Sequence, residues 1–353
     1  MTLDKRQEKF KLKSVLKYLF PLILAAIFLF IAFRGVDFDK VLETISKASI
    51  LWIVIFIFSV MFSHFLRALR WKIIISSVKK DAKMKNLFGS LMVGYGVSCA
   101  VPRLGEVTRA VLIGKWENLS RSSMFGTVIL ERIIDVIFLG LAVLISFIIW
   151  SDNIYLNFPW LKSALYITTV LVILAFIFLF FIIKYKEKFY NSLIKIIGRF
   201  SEKYAHKSAY IFEMLIQGFL SLKGVKNYIF VFTLSSLIML NYALSAYIGF
   251  YTLGMQNQFG IHITFGMAWV LMSISAIGVV IPTPGGVGSY EALSKATLVL
   301  LFGFGESISL AYAILTHVIS YILFIFTALI SFYILNKQHE NIFNVIETDL
   351  EDL

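Results

Sequence analysis

Long, nearly uncharged apolar runs constrain this chain more than any other feature of its sequence. A helix that crosses a bilayer needs about 20 mostly apolar residues. Six runs meet or approach that length, at residues 18–33, 50–75, 124–150, 161–183, 228–253 and 308–335. The composition agrees, since 59% of the 353 residues are hydrophobic and only 15% are charged, against about 25% charged in soluble domains. The sequence therefore predicts an all-α polytopic membrane protein with about six full transmembrane helices, and it excludes a water-soluble globular fold.

Two further apolar regions are interrupted by Pro and Gly. Residues 87–114 are broken at VPRLGE (101–106), and residues 265–302 are broken at IPTPGGVG (281–288). Each arm is short for a full span, and backbone groups exposed at such a break are tolerated at membrane depth only where protein or a water-filled cavity satisfies them. We therefore expect two re-entrant or broken helical hairpins.

The charges of the loops predict an orientation. Residues 67–85 carry seven Lys or Arg against one acidic residue, and residues 184–207 carry seven against two. Because cytoplasmic loops are enriched in basic residues, we expect both termini to lie in the cytoplasm. The expected location of the protein is the cytoplasmic (inner) membrane. The predicted organisation is a basic N-terminus (1–17), an integral membrane domain (18–335) with a cytoplasmic amphipathic insert (184–223), and an acidic cytoplasmic tail (336–353).

With that orientation the two hairpins open to opposite sides of the membrane. Pro/Gly-broken segments in corresponding positions of two halves are typical of inverted-repeat transporters, whose binding sites lie near the bilayer midplane. We therefore expect an inverted repeat in which the tips of the two hairpins meet near the midplane.

Charged residues follow the first break. Arg103, Glu106 and Arg109 are spaced by three, which places them on one face of the returning helix. A charge at the bilayer centre costs roughly 2.5–3.5 kcal/mol on insertion scales, so each such residue needs a partner or a role. Because the planar fork of Arg binds phosphate through two hydrogen bonds, we interpret this group as a site for an anionic headgroup. Glu106 and Glu131 either neutralise these arginines when no ligand is bound or accept a coupling proton.

Two other charged groups lie within the apolar runs. Glu131, Arg132 and Asp135 either line the same cavity or form a structural ion-pair network. Arg67 and Arg70 share a helix face with His64 and are candidates for the lipid site as well. The sequence Arg70-Trp71-Lys72 is nevertheless typical of side chains that anchor a helix at the cytoplasmic membrane surface.

The second break predicts a different chemistry. A glycine-rich turn before a helix presents free amide groups and a positive dipole end, which suit a phosphate or carboxylate. The alternative is a turn that only permits a tight hairpin. We expect this segment to gate the site from the outer side, through Pro282, Pro284, Gly285, Gly286, Gly288 and Glu291.

Other classes of site find little support. The five His are scattered, Cys99 is the single Cys, and no nucleophile–base pair is evident, so we expect no metal site, no cofactor and no enzymatic activity. His317, in the middle of the last run, is interpreted as a packing residue. The basic loops carry no nucleic-acid-binding motif.

Four motifs occur in a fixed order along the chain: Arg67-Ala-Leu-Arg-Trp71, Pro102-Arg-Leu-Gly-Glu-Val-Thr-Arg109, Glu131-Arg-Ile-Ile-Asp135 and Pro282-Thr-Pro-Gly-Gly-Val-Gly-Ser-Tyr-Glu291. Together they resemble the transmembrane flippase region of the lysylphosphatidylglycerol synthase/flippase family, from the first apolar run to the last. The resemblance implies a membrane domain that moves a polar-headed lipid between leaflets. In two-domain relatives a synthase domain follows and transfers lysine from its tRNA to phosphatidylglycerol. This chain ends at Leu353, so we expect a stand-alone member without that domain.

These observations favour a lipid flippase or transporter of the cytoplasmic membrane. Its substrate is expected to be an anionic or aminoacylated phospholipid or a polyprenyl-phosphate-linked lipid. The alternatives are a proton-coupled small-solute carrier and a non-transporting partner of a lipid-modifying enzyme or glycosyltransferase. The expected partners are membrane lipids, a second copy of the chain in a homo-oligomer, and such an enzyme, but no nucleic acid.

Overall fold

The computed structural model describes residues 19–76, 78–150 and 225–338, together with residues 163, 166 and 170. This part of the chain is helical and contains no β-strand. The predicted N-terminus (1–17), the insert (184–223) and the tail beyond residue 338 lie outside the described residues, as does nearly all of the apolar run at 161–183. The all-α architecture is thus confirmed where the chain is described.

Ten α-helices lie in the described residues, and their bounds follow in chain order. They are α1 (Leu19–Phe33), α2 (Phe38–Ser46), α3 (Ile50–Ile75), α4 (Met84–Ala100), α5 (Leu104–Trp116), α6 (Arg121–Ile149), α7 (Val225–Thr252), α8 (Phe265–Val280), α9 (Ser289–Leu300) and α10 (Glu306–Gln338).

The described residues contain fewer apolar spans than the six that were predicted, and the predicted run at 161–183 lies almost entirely outside them. Helices α3, α6, α7 and α10 are each long and apolar enough to cross a bilayer. Helix α1 meets the same criteria only together with α2, from which it is bent by 87°. The bend arises because Gly35 adopts a φ of 75° and the Asp37 side chain accepts a hydrogen bond from the Lys40 N–H, which starts a new helix. The described residues therefore contain four spans, or five if α1 and α2 form one.

Both interrupted regions form helical hairpins, as predicted. In the first hairpin, α4 and α5 run antiparallel and approach each other through Gly94 and Gly105, where a Cβ added to Gly94 would lie 2.8 Å from the Gly105 carbonyl oxygen. In the second hairpin, α8 and α9 are joined by a hydrogen bond of 2.7 Å between the Ser275 and Ser294 hydroxyls. Small residues at these positions let the two backbones lie close together, as is common in membrane helix pairs.

Helix α10 fixes how the two hairpins are related. Near its N-terminus, Glu306 forms an ion pair of 3.0 Å with Lys295 of the second hairpin. Near its C-terminus, Leu335 packs against Gly89 of the first hairpin. Midway along α10, the Tyr321 hydroxyl donates to the carbonyl of Cys99, at the tip of the first hairpin, while its ring packs on Gly285 at the tip of the second. The hairpins therefore extend from opposite ends of α10, and their tips meet at its middle.

The same order of elements occurs twice along the chain. A long helix, a hairpin and a second long helix form the first set (α3, the first hairpin and α6) and again the second set (α7, the second hairpin and α10). Helices α3 and α7 pack antiparallel, with hydrogen bonds of 2.8 Å between the Ser59 and Ser245 hydroxyls and from Ser49 N–H to the Thr252 carbonyl. The first hairpin packs on α10, and the second packs on α6 through a hydrogen bond of 3.0 Å from Trp269 Nε1 to the Ala142 carbonyl. This exchange of partners is the arrangement of an inverted repeat. The side of the membrane that each hairpin faces stays a prediction.

The open end of the first hairpin is held by Glu117, which follows α5. Its carboxylate accepts hydrogen bonds from Lys83 N–H at 2.9 Å and from Asn86 Nδ2 at 2.7 Å, and it pairs with Lys79 Nζ at 2.8 Å. Burial by itself raises the pKa of Glu117, but the hydrogen bonds from Lys79, Lys83 and Asn86 outweigh it and leave the pKa below its ordinary value. These contacts tie α5 to the loop between α3 and α4.

Gly94→Ala should loosen the first hairpin. The added methyl group meets the Gly105 backbone, which cannot move aside as a side chain can, so we expect a loss of about 1–3 kcal/mol in the free energy of unfolding. Gly305→Ala is the matched control, because a Cβ at Gly305 meets nothing within 4 Å. Thermal unfolding in detergent should show a lower Tm for Gly94→Ala than for the control. Equal Tm values would contradict the close packing of α4 and α5.

The contribution of Glu117 to stability should depend on pH. Because its folded-state pKa lies below the unfolded value, Glu117 stabilises the protein above the unfolded pKa, and this contribution is lost as the pH falls through the folded value. Glu117→Gln should therefore lower the Tm at neutral pH, with a difference from the wild type that shrinks below about pH 4. Glu43→Gln, in an exposed pair with Lys47, is the control. A difference that stays constant with pH would rule out the ionised carboxylate as its source.

Candidate functional site

Charged residues from three separate stretches of the sequence meet in one buried group, which we call the arginine cluster. Helix α3 contributes Arg67 and Arg70, α5 contributes Arg109, and α6 contributes Glu131, Arg132 and Asp135. Glu106 of α5 borders the group, 3.9 Å from Arg132 Nε. Four arginines therefore face three carboxylates, and the cluster carries one excess positive charge.

Arg70 lies at the centre of the cluster and is fully buried. Its Nη2 contacts Asp135 Oδ1 at 2.5 Å and Glu131 Oε1 at 3.1 Å, and its Nη1 donates to the Ser235 hydroxyl of α7 at 3.0 Å. Trp71 is equally buried and donates from Nε1 to Thr127 at 3.0 Å. The prediction that Arg70 and Trp71 anchor α3 at the membrane surface is therefore wrong, because their polar partners lie inside the bundle.

Arg67 has a hydrogen-bond partner for each of its three guanidinium nitrogens. It binds Asp135 Oδ2 at 2.8 Å and donates to the hydroxyls of Tyr242 and Tyr95 at 2.7 and 2.6 Å. The two tyrosines and Ser235 were missed in the sequence, because hydroxyl residues on otherwise apolar helices give no signal of which partner they bind. They connect α3 and α6 to α4 and α7.

Arg109 has fewer partners than any other buried arginine of the cluster. It is 3% exposed, its Nη1 lies 2.9 Å from Glu131 Oε2, and its guanidinium stacks 4.9 Å from the centre of the Trp71 ring. Among the described residues, none of its three guanidinium nitrogens has a hydrogen-bond acceptor in good geometry, and Glu131 Oε2 has no donor. Buried polar groups are almost always hydrogen bonded. The unused donors of Arg109 therefore indicate a place where an anion can bind.

The cluster reaches the protein surface on one side. The side chains of Arg132 and Glu106 are 36% and 33% exposed. Around them the exposed residues are apolar, namely Leu104 and Val107 on α5 and Val136 on α6. A ligand at this edge would contact charge on one side and an exposed apolar surface on the other.

Arg103 does not join the cluster. It precedes α5 with a φ of 65°, a left-handed conformation that non-glycine residues seldom adopt. Its side chain is exposed and, in the described part of the chain, has no ion-pair partner. The expectation that Arg103 shares a face with Glu106 and Arg109 is wrong, because the helix begins only at Leu104.

The glycine-rich break forms a second, separate site at the tip of the other hairpin. Gly285, Gly286 and Gly288 all have positive φ, following Pro282 and Pro284, and the Gly288 N–H donates to Glu291 Oε2 at 2.7 Å. The helix N-terminus that was predicted to hold a free anion is thus capped by a carboxylate of its own helix. The other oxygen of Glu291 contacts His317 Nδ1 at 2.5 Å, so the interpretation of His317 as a packing residue is also wrong.

No group of three or more His, Cys, Asp or Glu side chains that could hold a metal ion occurs within the described ranges. The arginine cluster is instead suited to an oxyanion, because its side-chain atoms without a hydrogen bond among the described residues are guanidinium donors except for Glu131 Oε2, and its excess charge is positive. Phosphate and carboxylate are the anions that an arginine fork matches.

Arg70→Met should destabilise the protein strongly. It leaves Glu131 and Asp135 with one cation fewer, and removing one partner of a buried ion pair typically costs about 3–5 kcal/mol. Lys47→Met, which breaks an exposed pair with Glu43, is the matched control and should leave the Tm unchanged. Thermal unfolding in detergent compares the two. Similar Tm values would mean that the buried pairs do not hold α3 and α6 together.

Comparison with known proteins shows the family of the chain. The family model described as the lysylphosphatidylglycerol synthase TM region matches residues 18–328. A UPF0104 membrane protein of Methanothermobacter thermautotrophicus is 24% identical over 269 residues, which cover 72% of this chain and 76% of that protein. A UPF0104 membrane protein of Methanocaldococcus jannaschii is 24% identical over 338 residues, which cover 90% and 94%. Because the family model covers most of the sequence, the chain belongs to the family of the lysylphosphatidylglycerol synthase transmembrane region.

Proposed function

We propose that this protein moves a lipid with a phosphate-bearing headgroup between the leaflets of the cytoplasmic membrane, and that the arginine cluster binds the headgroup. The observation that carries this proposal is the state of Arg109, a buried guanidinium that has one ion-pair partner and, among the described residues, no hydrogen-bond acceptor in good geometry, in a cluster with one excess positive charge. A phosphate supplies two acceptor oxygens in the spacing of the guanidinium fork and removes the excess charge.

The carboxylate of Glu131 has a defined part in this proposal. It is the only ion-pair partner found for Arg109 among the described residues, and it also contacts Arg70 and Arg67. A bound phosphate competes with Glu131 for Arg109, and Glu131 then remains neutralised by the other arginines. The cluster can therefore hold an anion or release it without leaving a buried charge unpaired, which would be costly.

The surface opening between α5 and α6 favours a lipid over a small solute. Glu106 and Arg132 lie there beside the exposed apolar residues Leu104, Val107 and Val136. A headgroup can reach the cluster through this opening while its acyl chains stay in the surrounding hydrocarbon. A proton-coupled solute carrier, by contrast, needs a closed, water-filled site. The third hypothesis, a partner of a lipid-modifying enzyme, rests on residues 184–223, which lie outside the described residues.

The two hairpins supply a route for the headgroup in this proposal. Residues 101–103 and 281–288 place irregular backbone at the two hairpin tips, which meet in the middle of the bundle. A headgroup that crosses hydrocarbon unaided loses its hydration and pays the full cost of a buried charge. Separation of the second hairpin from the first would open a polar path beyond the arginine cluster, so residues 282–291 act as the gate.

The proposal is tested with the lipids that the protein binds. Mass spectrometry of lipids that co-purify with the wild type should show enrichment of one phosphate-bearing class over the bulk membrane. Arg109→Met should reduce that enrichment by roughly tenfold to a hundredfold, the range for losing hydrogen bonds to a charged group. Arg103→Ala is the matched control, because Arg103 is exposed and outside the cluster, and it should retain the lipid.

A transport assay and a second variant complete this test. In proteoliposomes, the rate at which a labelled lipid of the enriched class changes leaflet should fall in Arg109→Met and stay near the wild-type rate in Arg103→Ala. Arg109→Lys keeps the charge but removes the fork, and it should give an intermediate rate. Unchanged lipid enrichment and an unchanged rate in a folded Arg109→Met protein would refute the proposal.

A further inference from the structure

A buried histidine–glutamate pair lies where the tips of the two hairpins meet, outside the arginine cluster. The side chains of His317 on α10 and Glu291 on α9 are 12% and 7% exposed. His317 Nδ1 lies 2.5 Å from Glu291 Oε1, and His317 Nε2 lies 3.1 Å from the Gly285 carbonyl oxygen. Glu291 Oε2 accepts the Gly288 N–H at 2.7 Å. The pair therefore holds the glycine turn of the second hairpin at two points.

The atoms around His317 determine how many protons the pair must hold. A carbonyl oxygen only accepts, so Nε2 carries a hydrogen when it bonds Gly285. Nδ1 and Oε1 also need one proton between them, because two lone pairs at 2.5 Å would repel each other. The observed contacts thus require two protons on the pair, either as imidazolium with carboxylate or as neutral imidazole with carboxylic acid.

Loss of one proton must break one of these contacts. If the remaining proton lies on Nδ1, the bond to Glu291 persists and the Nε2 lone pair faces the Gly285 carbonyl. If it lies on Nε2, the Nδ1 lone pair faces the carboxylate. The first arrangement is favoured, because a charged carboxylate is a stronger acceptor than a carbonyl. Deprotonation therefore releases Gly285.

Gly285 is also the point where the second hairpin packs against the first. Its φ is 58°, and a Cβ there would lie 2.7 Å from the hydroxyl oxygen of Tyr321. That hydroxyl donates to the Cys99 carbonyl at the tip of the first hairpin. His317 and Tyr321 are one turn apart on α10, so a single helix face binds both tips.

In the described part of the chain, His317 is the basic side chain that contacts the Glu291 carboxyl. Lys295 is paired with Glu306 at 3.0 Å and donates to the Arg34 carbonyl. Helix α1 packs against Gly288 through Ala25, Phe28 and Leu29, none of which is titratable. The titratable and charged groups near the pair are Tyr290 and Lys295 on α9, Tyr321 and Glu306 on α10, and Cys99 on α4.

We propose that His317 and Glu291 form a proton-binding site that keeps the two hairpin tips together while the proton is bound and lets the second hairpin separate when it is lost. The ligand is a single proton, and the contact that it controls is the hydrogen bond from His317 to Gly285. The inference does not depend on lipid transport, because the contact between the tips can be measured without a substrate. If the lipid proposal also holds, this site links gate opening to the proton concentration on the side from which the site is reached.

Cys99, the single cysteine of the sequence, reports on this contact because it lies at the first tip and is 8% exposed. Its rate of alkylation by N-ethylmaleimide is measured in the purified full-length protein from mildly acidic to mildly alkaline pH. The comparison variant is Glu291→Gln. The glutamine side chain can accept a hydrogen bond from the Gly288 N–H and donate one to His317 Nδ1. A neutral His317 then keeps its Nε2–H, which donates to the Gly285 carbonyl. The variant should therefore hold the tips together at every pH.

Dividing the alkylation rate of the wild type by that of Glu291→Gln removes the pH dependence that comes from ionisation of the thiol itself. We expect this ratio to rise roughly tenfold or more with increasing pH, the change expected for losing one hydrogen bond to a charged group. Amide hydrogen exchange of residues 282–289 should rise in parallel in the wild type alone. His262→Gln, which alters an exposed histidine, should behave as the wild type. A constant ratio, with equal exchange in both proteins, would overturn the proposal whether or not the protein moves lipid.

Discussion

Burial of charge among apolar helices is the constraint on which the rest of this structure depends. Arg67 and Arg70 lie on a helix that is apolar enough to sit in lipid, yet neither side chain can face lipid without a large cost. Helix α6 supplies the carboxylates that neutralise them, and α4 and α7 supply hydroxyls that accept further hydrogen bonds from them. Because hydrophobicity alone does not orient helices within a membrane, these polar contacts determine how the helices are rotated and how deep each one lies.

The first hairpin is positioned by the same requirement. Glycines at its centre let α5 lie close to α4, and this brings Arg109 to Glu131 and Trp71. Among the residues that the structure describes, the second hairpin has no comparable cluster and is held instead by its own Glu291, by His317 and by Tyr321. One half of the repeat therefore carries the charged site, and the other half carries a contact that a single proton can change. Inverted repeats allow this division, because the two halves share a fold but not their side chains.

Much of this arrangement could be predicted from the sequence, and the errors have clear causes. The hairpins were predictable because Pro and Gly interrupt apolar runs that are otherwise continuous. The anchoring role predicted for Arg70 was wrong. A basic residue beside Trp near the end of an apolar run is typical of a surface anchor, and the local sequence does not show whether a carboxylate lies nearby inside the bundle. Arg103 was placed on the wrong face, because residue spacing cannot show where a helix begins. His317 was dismissed, since its partner Glu291 lies 26 residues away along the chain.

The sequence by itself determined that the chain is a helical membrane protein with two broken segments and with charges that need partners. These properties follow from local composition, since run length, Pro and Gly act on neighbouring residues. Only the tertiary structure decided that the three charged stretches form one cluster, that Arg109 is left with unused donors, and that the hairpin tips meet on α10. The physical reason is that ion pairs and hydrogen bonds join groups by distance in space, and many packings of the same apolar helices satisfy the hydrophobic effect equally well.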